Sequence, residues 1–277
     1  MKDAATRDAY GETLLEMGVN PNIVVLDSGV SDSTRTKKFG QKFPDRFFNM
    51  GIAEADMVCT AAGLATTGKI PFATSFACFL LGRTMDQILV SVAYSNTNVK
   101  LVGTHCGIAV GEDGPSAQMI VDLAYTRAIP NMTVVQPADW EETVQATKAL
   151  TKYYGPVYFR LGRPKVKAIF DTSYQFELGK GKLIEQGSDL IIFATGSMVQ
   201  ESLVAIEFLR KEKINISLVN ISTIKPIDRD IIIEQAKKHN AIITAEDHNI
   251  FGGLGDAVGE VLLDNQIAVP FTRIAVK

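Results

Sequence analysis

Short β-branched runs alternate with helically spaced apolar segments from one end of this chain to the other, and this alternation constrains the fold more than any other feature. The runs stand at 23–26, 70–73, 99–102, 133–135 and 157–159, and helical apolar spacing fills 6–17, 53–66, 85–94, 117–127 and 140–153. Strand, helix and strand repeated in this way predict an α/β protein with mostly parallel sheets, because parallel neighbours need a crossover long enough to hold a helix. Around 163–188 the pattern lapses into a polar stretch rich in Gly and Lys. A second series follows, with strands at 190–194, 216–221 and 241–244, helices at 199–211, 228–239 and 256–263, and a last strand at 271–276. The reading is therefore a first domain over 1–165, a linker with a small hairpin over 166–188, and a second domain over 189–277. Each domain is expected to hold a mostly parallel twisted sheet flanked by helices. The lack of a helix after the final strand reads as a terminus cut short.

Composition narrows the classes. With 277 residues, 46% of them hydrophobic, each domain can bury a core of its own, which excludes disorder as the main state. Lys+Arg 28 against Asp+Glu 31 gives a net charge of −3 with no basic stripe, so nucleic acid is not an expected partner. No apolar run approaches the roughly 18 residues that span a bilayer, and the opening segment lacks the n- and h-regions of a leader. Cys59, Cys78 and Cys106 are odd in number and widely spaced, which suits reduced thiols in a cytoplasmic protein.

Two glycine patterns come close to nucleotide motifs. Gly63 to Lys69 has P-loop spacing, but Ile70 stands where the hydroxyl would be, and a helix precedes the glycines instead of following them. A helix C-cap explains it better. Gly253, Gly255 and Gly259 follow a strand and open a helix with the last spacing one residue too long for a dinucleotide fingerprint, so a tight turn is the preferred reading.

In open α/β sheets ligands sit beyond the carboxyl ends of the strands, which directs attention to three segments. They are Gly51-Ile52-Ala53-Glu54-Ala55, Thr74-Ser75-Phe76-Ala77-Cys78-Phe79, and His105-Cys106-Gly107 running into Gly111-Glu112-Asp113-Gly114-Pro115-Ser116. By position alone Glu54 is a first-turn acid that complements a helix dipole, and the phenylalanines are core aromatics. His105 and Cys106 suggest a nucleophile pair, but adjacent residues at a strand end point in opposite directions, which argues against a cysteine hydrolase.

Taken together with Ala5-Thr6-Arg7, with Thr223 to Arg229, and with Glu246-Asp247-His248 ahead of Gly252-Gly253, these segments closely resemble the C-terminal half of transketolase, the thiamine-diphosphate enzyme that moves two-carbon ketol units between sugar phosphates. The resemblance runs along essentially the whole chain. It implies a pyrimidine-binding domain followed by the family's C-terminal domain. The family's preceding domain, which grips the diphosphate through a metal, has no motif here, so the chain is expected to be one subunit of a split enzyme. Its partner would be an N-terminal subunit carrying Mg2+ or Ca2+, in an α2β2 heterotetramer.

The resemblance also implies roles for individual residues. Glu54 would share a proton with a ring nitrogen of the aminopyrimidine, a task that favours a desolvated carboxyl. Phe76 and Phe79 would stack on that ring; some relatives add a further aromatic where this chain has Gly82. Arg7, Ser33, His105 and Arg160 would hold the substrate phosphate, and Asp113 would accept from a substrate hydroxyl, with the division of labour between Arg160 and Arg163 left open. Ala117 stands where many relatives carry histidine and some glutamine, and the following Gln118 is a candidate substitute. The Glu246-Asp247-His248 cluster is expected to be structural. Rival readings are the beta subunit of a 2-oxo-acid dehydrogenase decarboxylase component, deoxyxylulose-phosphate synthase, and a regulatory subunit without turnover.

Overall fold

The computed structural model describes residues 2–277; Met1, the first residue of the expected first domain, lies outside the described residues. Strand β1 (Ala4–Ala5) runs into helix α1 (Thr6–Met17), then β2 (Ile23–Asp27), short helices α2 (Ser31–Thr34) and α3 (Lys37–Lys42), and β3 (Phe47–Asn49). Helix α4 (Glu54–Thr66), β4 (Ile70–Phe76), α5 (Ala77–Gly82) and α6 (Met85–Gln87) follow, the last continuing as a π-helical stretch over Ile88–Tyr94. The first unit ends with β5 (Lys100–Thr104), α7 (Asp122–Ala128), β6 (Thr133–Val135), α8 (Trp140–Lys152), β7 (Val157–Arg160) and β8 (Lys165–Val166). The second comprises β9 (Lys182–Glu185), β10 (Leu190–Ala194), α9 (Met198–Lys211), β11 (Ile216–Asn220), β12 (Thr223–Lys225), α10 (Arg229–Ala236), β13 (Ile242–Asn249), α11 (Leu254–Asp264) and β14 (Phe271–Val276).

Two main sheets result. The first has the order β12-β6-β7-β5-β4-β2-β3, parallel except for β12, and the second the order β14-β13-β10-β11-β9, parallel except for β9. Every residue of β2, β5 and β7 is buried. Helices thus cover both faces of the first sheet, as near-continuous apolar strands require. Register aligns Asp27 with Thr74, Phe76 with Thr104, and Gly103 with Arg160, so the carboxyl ends of four strands form one rim. The site is built on that rim.

The second unit does not stand apart from the first. Strand β12 extends the first sheet through β6. Lys225 Nζ donates to the carbonyls of Arg127 and Ile129, and Arg127 Nη1 donates to the Gly252 carbonyl at 2.6 Å.

Three sequence expectations change. The helix expected over 117–127 starts only at Asp122. Met119 is held extended by a two-way backbone exchange with Gly107, which a helical turn would break. Over 166–188 there is no hairpin: Lys165–Val166 pairs with Ala4–Ala5, and β9 joins the edge of the second sheet beside β11. The strand expected over 241–244 runs on to Asn249, carrying the Glu246-Asp247-His248 cluster. Gly68, in the left-handed region, donates to the Ala65 carbonyl just after α4, the C-cap role read from sequence.

Candidate active site

Glu54 opens α4 just after the β3 end, where Gly51 adopts a positive φ and its amide donates to Asn49 Oδ1. Its side chain is buried, at 4% exposure, yet both carboxylate oxygens accept at 3.0 Å from a single donor, Arg83 Nη1. Strand β4 ends at Phe76, and the short helix α5 brings Phe79 back beside it, so that the two rings lie 5.5 Å apart and nearly parallel. The His105 ring stacks on Phe76 at 3.7 Å, while the Arg83 guanidinium sits over Phe79 at 4.4 Å. One planar, N–H-bearing group thus stacks on Phe79 and donates to Glu54 at once. An aminopyrimidine edge would make the same two contacts, so the residues present fit that group.

His105 follows the last residue of β5 in the left-handed region, φ 58°, which swings its ring off the strand and over Phe76. Its Nε2 lies 2.9 Å from Arg7 Nη1 and its Nδ1 2.9 Å from Thr104 Oγ1. Because a guanidinium can only donate, Nε2 is the acceptor and the proton sits on Nδ1, donated to Thr104. Burial, with Arg7, Arg163 and Arg35 adding to it, pushes the imidazole down to about 3, so the ring is neutral.

Arg7 projects from the first turn of α1, whose start is tied to the 160–164 loop by the Gly162 amide donating to Thr6 Oγ1 at 2.8 Å. Arg7 also donates to the Ser33 carbonyl, and its buried Nε has no partner among the described residues. Ser33 and Arg35 are carried by a loop organised around Asp27, which is fully buried and accepts from the Val30 amide, Thr34 and Thr36. Gly11 of α1 lets this loop close in, since a Cβ there would lie 2.4 Å from that of Arg35. Asp113, in the glycine-flanked turn Gly111–Asp113, approaches His105 Nε2 at 3.8 Å and Arg163 Nε at 3.6 Å. Arg7, His105, Asp113 and Arg163 therefore cluster, Ser33 joining through its backbone carbonyl, with Arg35 alongside.

Arg160 does not join them. It is 1% exposed and paired with the fully buried Asp122, Nε to Oδ2 at 2.6 Å, and Nη2 donates to the carbonyls of Met119 and Asp247. Its guanidinium ties the two units together, and Arg163, three residues on and beyond the strand end, is the arginine that lies beside Asp113. The residue pattern signalled this, because ligands collect beyond carboxyl ends and Arg160 is still within β7. Arg83 and Arg35 went unrecognised, having no motif around them.

The remaining candidates resolve cleanly. Cys106 is buried against Gly103 and Tyr158, with burial pushing its thiol well up, so it is no nucleophile for His105. Ala117 packs on Phe76 and Val110, and the Gln118 amide donates to the Ile108 carbonyl at 2.8 Å. Glu246 accepts from the Leu254 and Gly255 amides, filling the α11 start that a dinucleotide would need; a Cβ on Gly253 would lie 1.8 Å from its Oε2. His248 Nε2 accepts from the Ala124 amide, which makes it an interface residue. A cavity of about 530 Å³ beside α1, lined by Lys2, Lys38, Trp140 and Lys165 among others, does not include Glu54 or His105.

Residues 2–168 match the family model for the transketolase pyrimidine binding domain, and residues 179–277 that for the transketolase C-terminal domain. The chain is 48% identical over 273 residues to a Methanocaldococcus jannaschii protein named as a transketolase C-terminal section, spanning 98% of this chain and 85% of that one. It is 40% identical to the 6-deoxy-6-sulfo-D-fructose transketolase subunit of Clostridium sp. (strain MSTE9), spanning 98% of this chain and 84% of that subunit. Among solved structures, a split gene transketolase described as an inactive beta4 tetramer superposes with a TM-score of 0.91 at 44% identity, covering 100% of this chain and 90% of that one.

Proposed function

This chain belongs to the transketolase family as a C-terminal section, and from that premise we propose that it is one subunit of a two-chain transketolase, moving a two-carbon ketol unit from a ketose phosphate to an aldose phosphate. The domains are taken as 1–165 for pyrimidine binding and 189–277 for the C-terminal fold, with β9 of the intervening 166–188 already part of the second sheet. The partner is an N-terminal subunit that holds the diphosphate through Mg2+ or Ca2+, the assembly an α2β2 heterotetramer, and the location the cytoplasm. Exposed apolar side chains near Glu54 and Arg83, Ile52 at 85% and Met85 at 50%, with Leu89 and Val90 on the helical stretch that follows, support a partner covering this face.

Thiamine diphosphate supplies the nucleophilic carbon and the electron sink for breaking the carbon–carbon bond. Glu54 exchanges a proton with the ring nitrogen of the pyrimidine, held for that by its buried place at the start of α4. Phe79, backed by Phe76, gives the ring its flat support. Arg7, Arg163 and Ser33 hold the substrate phosphate, the Arg7 Nε being a buried donor without a partner among the described residues. His105 is a neutral ring beside the sugar whose Nε2 accepts from Arg7 and so orients that guanidinium, and Asp113 accepts from a hydroxyl.

One observation carries the reading most. A buried carboxylate, an aromatic face and a cluster of arginines around a neutral histidine lie along one sheet rim. The test is ketol transfer from a ketose phosphate by this chain co-expressed with its partner. Turnover that is dependent on thiamine diphosphate and lost in Glu54→Ala supports the proposal; turnover indifferent to that change refutes it.

A further inference from the structure

We infer that Arg83 is an internal stand-in for the cofactor's pyrimidine, closing the site of the unloaded subunit and giving way when the cofactor binds. The inference rests on the function proposed above and concerns how that same site is regulated. Among the described residues Glu54 has no hydrogen-bond donor other than Arg83 Nη1, which bridges both oxygens at 3.0 Å. The same guanidinium covers Phe79. A ring stacked on Phe79 and bonded to Glu54 would need the volume and the acceptor that Arg83 now occupies, so the two states exclude each other.

The chemistry gives a reason for such a closure. A carboxylate buried without a partner is costly, and a guanidinium meets the need with charge and N–H groups together. The pairing also occupies both Glu54 oxygens at once, whereas proton sharing with a ring nitrogen needs one of them free to face that nitrogen. Arg83 must therefore leave for Glu54 to act. It can, because its side chain is 47% exposed and the turn beside it is open: nothing lies within 4 Å of where a Cβ on Gly82 would stand. A residue at position 82 with a bulky side chain would crowd this path.

The experiment compares wild type, Arg83→Met and Arg83→Lys, each assembled with the N-terminal partner and titrated calorimetrically with thiamine diphosphate and Mg2+. Methionine keeps the apolar stem but neither charge nor N–H, so its cofactor dissociation constant should fall about tenfold, equivalent to about 1.4 kcal/mol. Lysine retains the pair with Glu54 and should stay within about threefold of wild type. An unchanged or weaker affinity in Arg83→Met overturns the inference, the weaker outcome meaning that Arg83 helps to bind the cofactor. The chain alone gives a second reading: Arg83→Met should lower its melting temperature, because Glu54 loses its partner, and no change would overturn the closure. If the wild-type assembly bound no thiamine diphosphate, the function reading would fall together with this inference. Binding in wild type with no gain in Arg83→Met removes the inference alone.

Discussion

Arg7 and His105, 98 residues apart in the chain, meet at 2.9 Å, and the direction of their hydrogen bond decides what the histidine is. The arginine donates, so the ring carries its proton on Nδ1 and turns a lone pair toward the site. Burial and a positively charged neighbourhood keep the ring neutral, which suits a group that holds the Arg7 guanidinium in place by accepting from it.

Glu54→Gln keeps the size and hydrogen-bonding ability of the side chain and removes the proton chemistry. Steady-state ketol transfer by the assembled enzyme should fall by roughly 10²- to 10⁴-fold, the usual worth of a positioned acid or base. Circular dichroism of the variant should match wild type.

Arg163→Ala and Arg160→Ala should fail in different ways. Losing Arg163 removes a charge-assisted contact of about 1.5–3 kcal/mol and should raise KM for the phosphorylated sugar with a smaller effect on kcat. Losing Arg160 strands Asp122 in the interior, at a cost of about 3–5 kcal/mol, and should show in urea unfolding as a lower midpoint.

His105 and His248 both titrate below the ordinary value, at about 3 and about 4, burial being the main cause in each. The unfolded chain binds protons to these rings below about pH 6.5 while the folded chain does not. The stability they contribute is thus present above about 6.5 and is lost progressively as the pH falls toward 4. Melting temperatures from pH 8 to pH 4.5 should show this decline, and His248→Gln should make it shallower. An equally steep profile in that variant would count against the assignment.

Gln118→Ala should leave kcat within about threefold of wild type, because its amide is committed to the Ile108 carbonyl and proton transfer by a residue is worth far more than that. A loss of a hundredfold would place Gln118 in the chemistry.

Much of the fold was legible because strand and helix impose different apolar periods on the sequence. Runs such as 23–26 and 157–159 became the buried strands β2 and β7. The elements that escaped were those whose residues are shaped by distant partners. Met119 is extended because Gly107 pairs with it, and Thr223–Lys225 is a strand because the edge of the first sheet lies beside it. Neither constraint leaves a local pattern.

The site divides in the same way. The order of the residues determined its ingredients: the GIAEA turn, the paired phenylalanines, the His-Cys-Gly and Gly-Glu-Asp-Gly loops, and their resemblance to transketolase. Only the tertiary structure decided that Arg160 is sealed into a pair with Asp122 while Arg163 faces His105, and that Arg83 reaches Glu54. The physical reason is that the worth of a charged side chain depends on what surrounds it. Burial, the nearest opposite charge and the orientation of a hydrogen bond are set by strands that meet across the whole chain, not by neighbours in sequence.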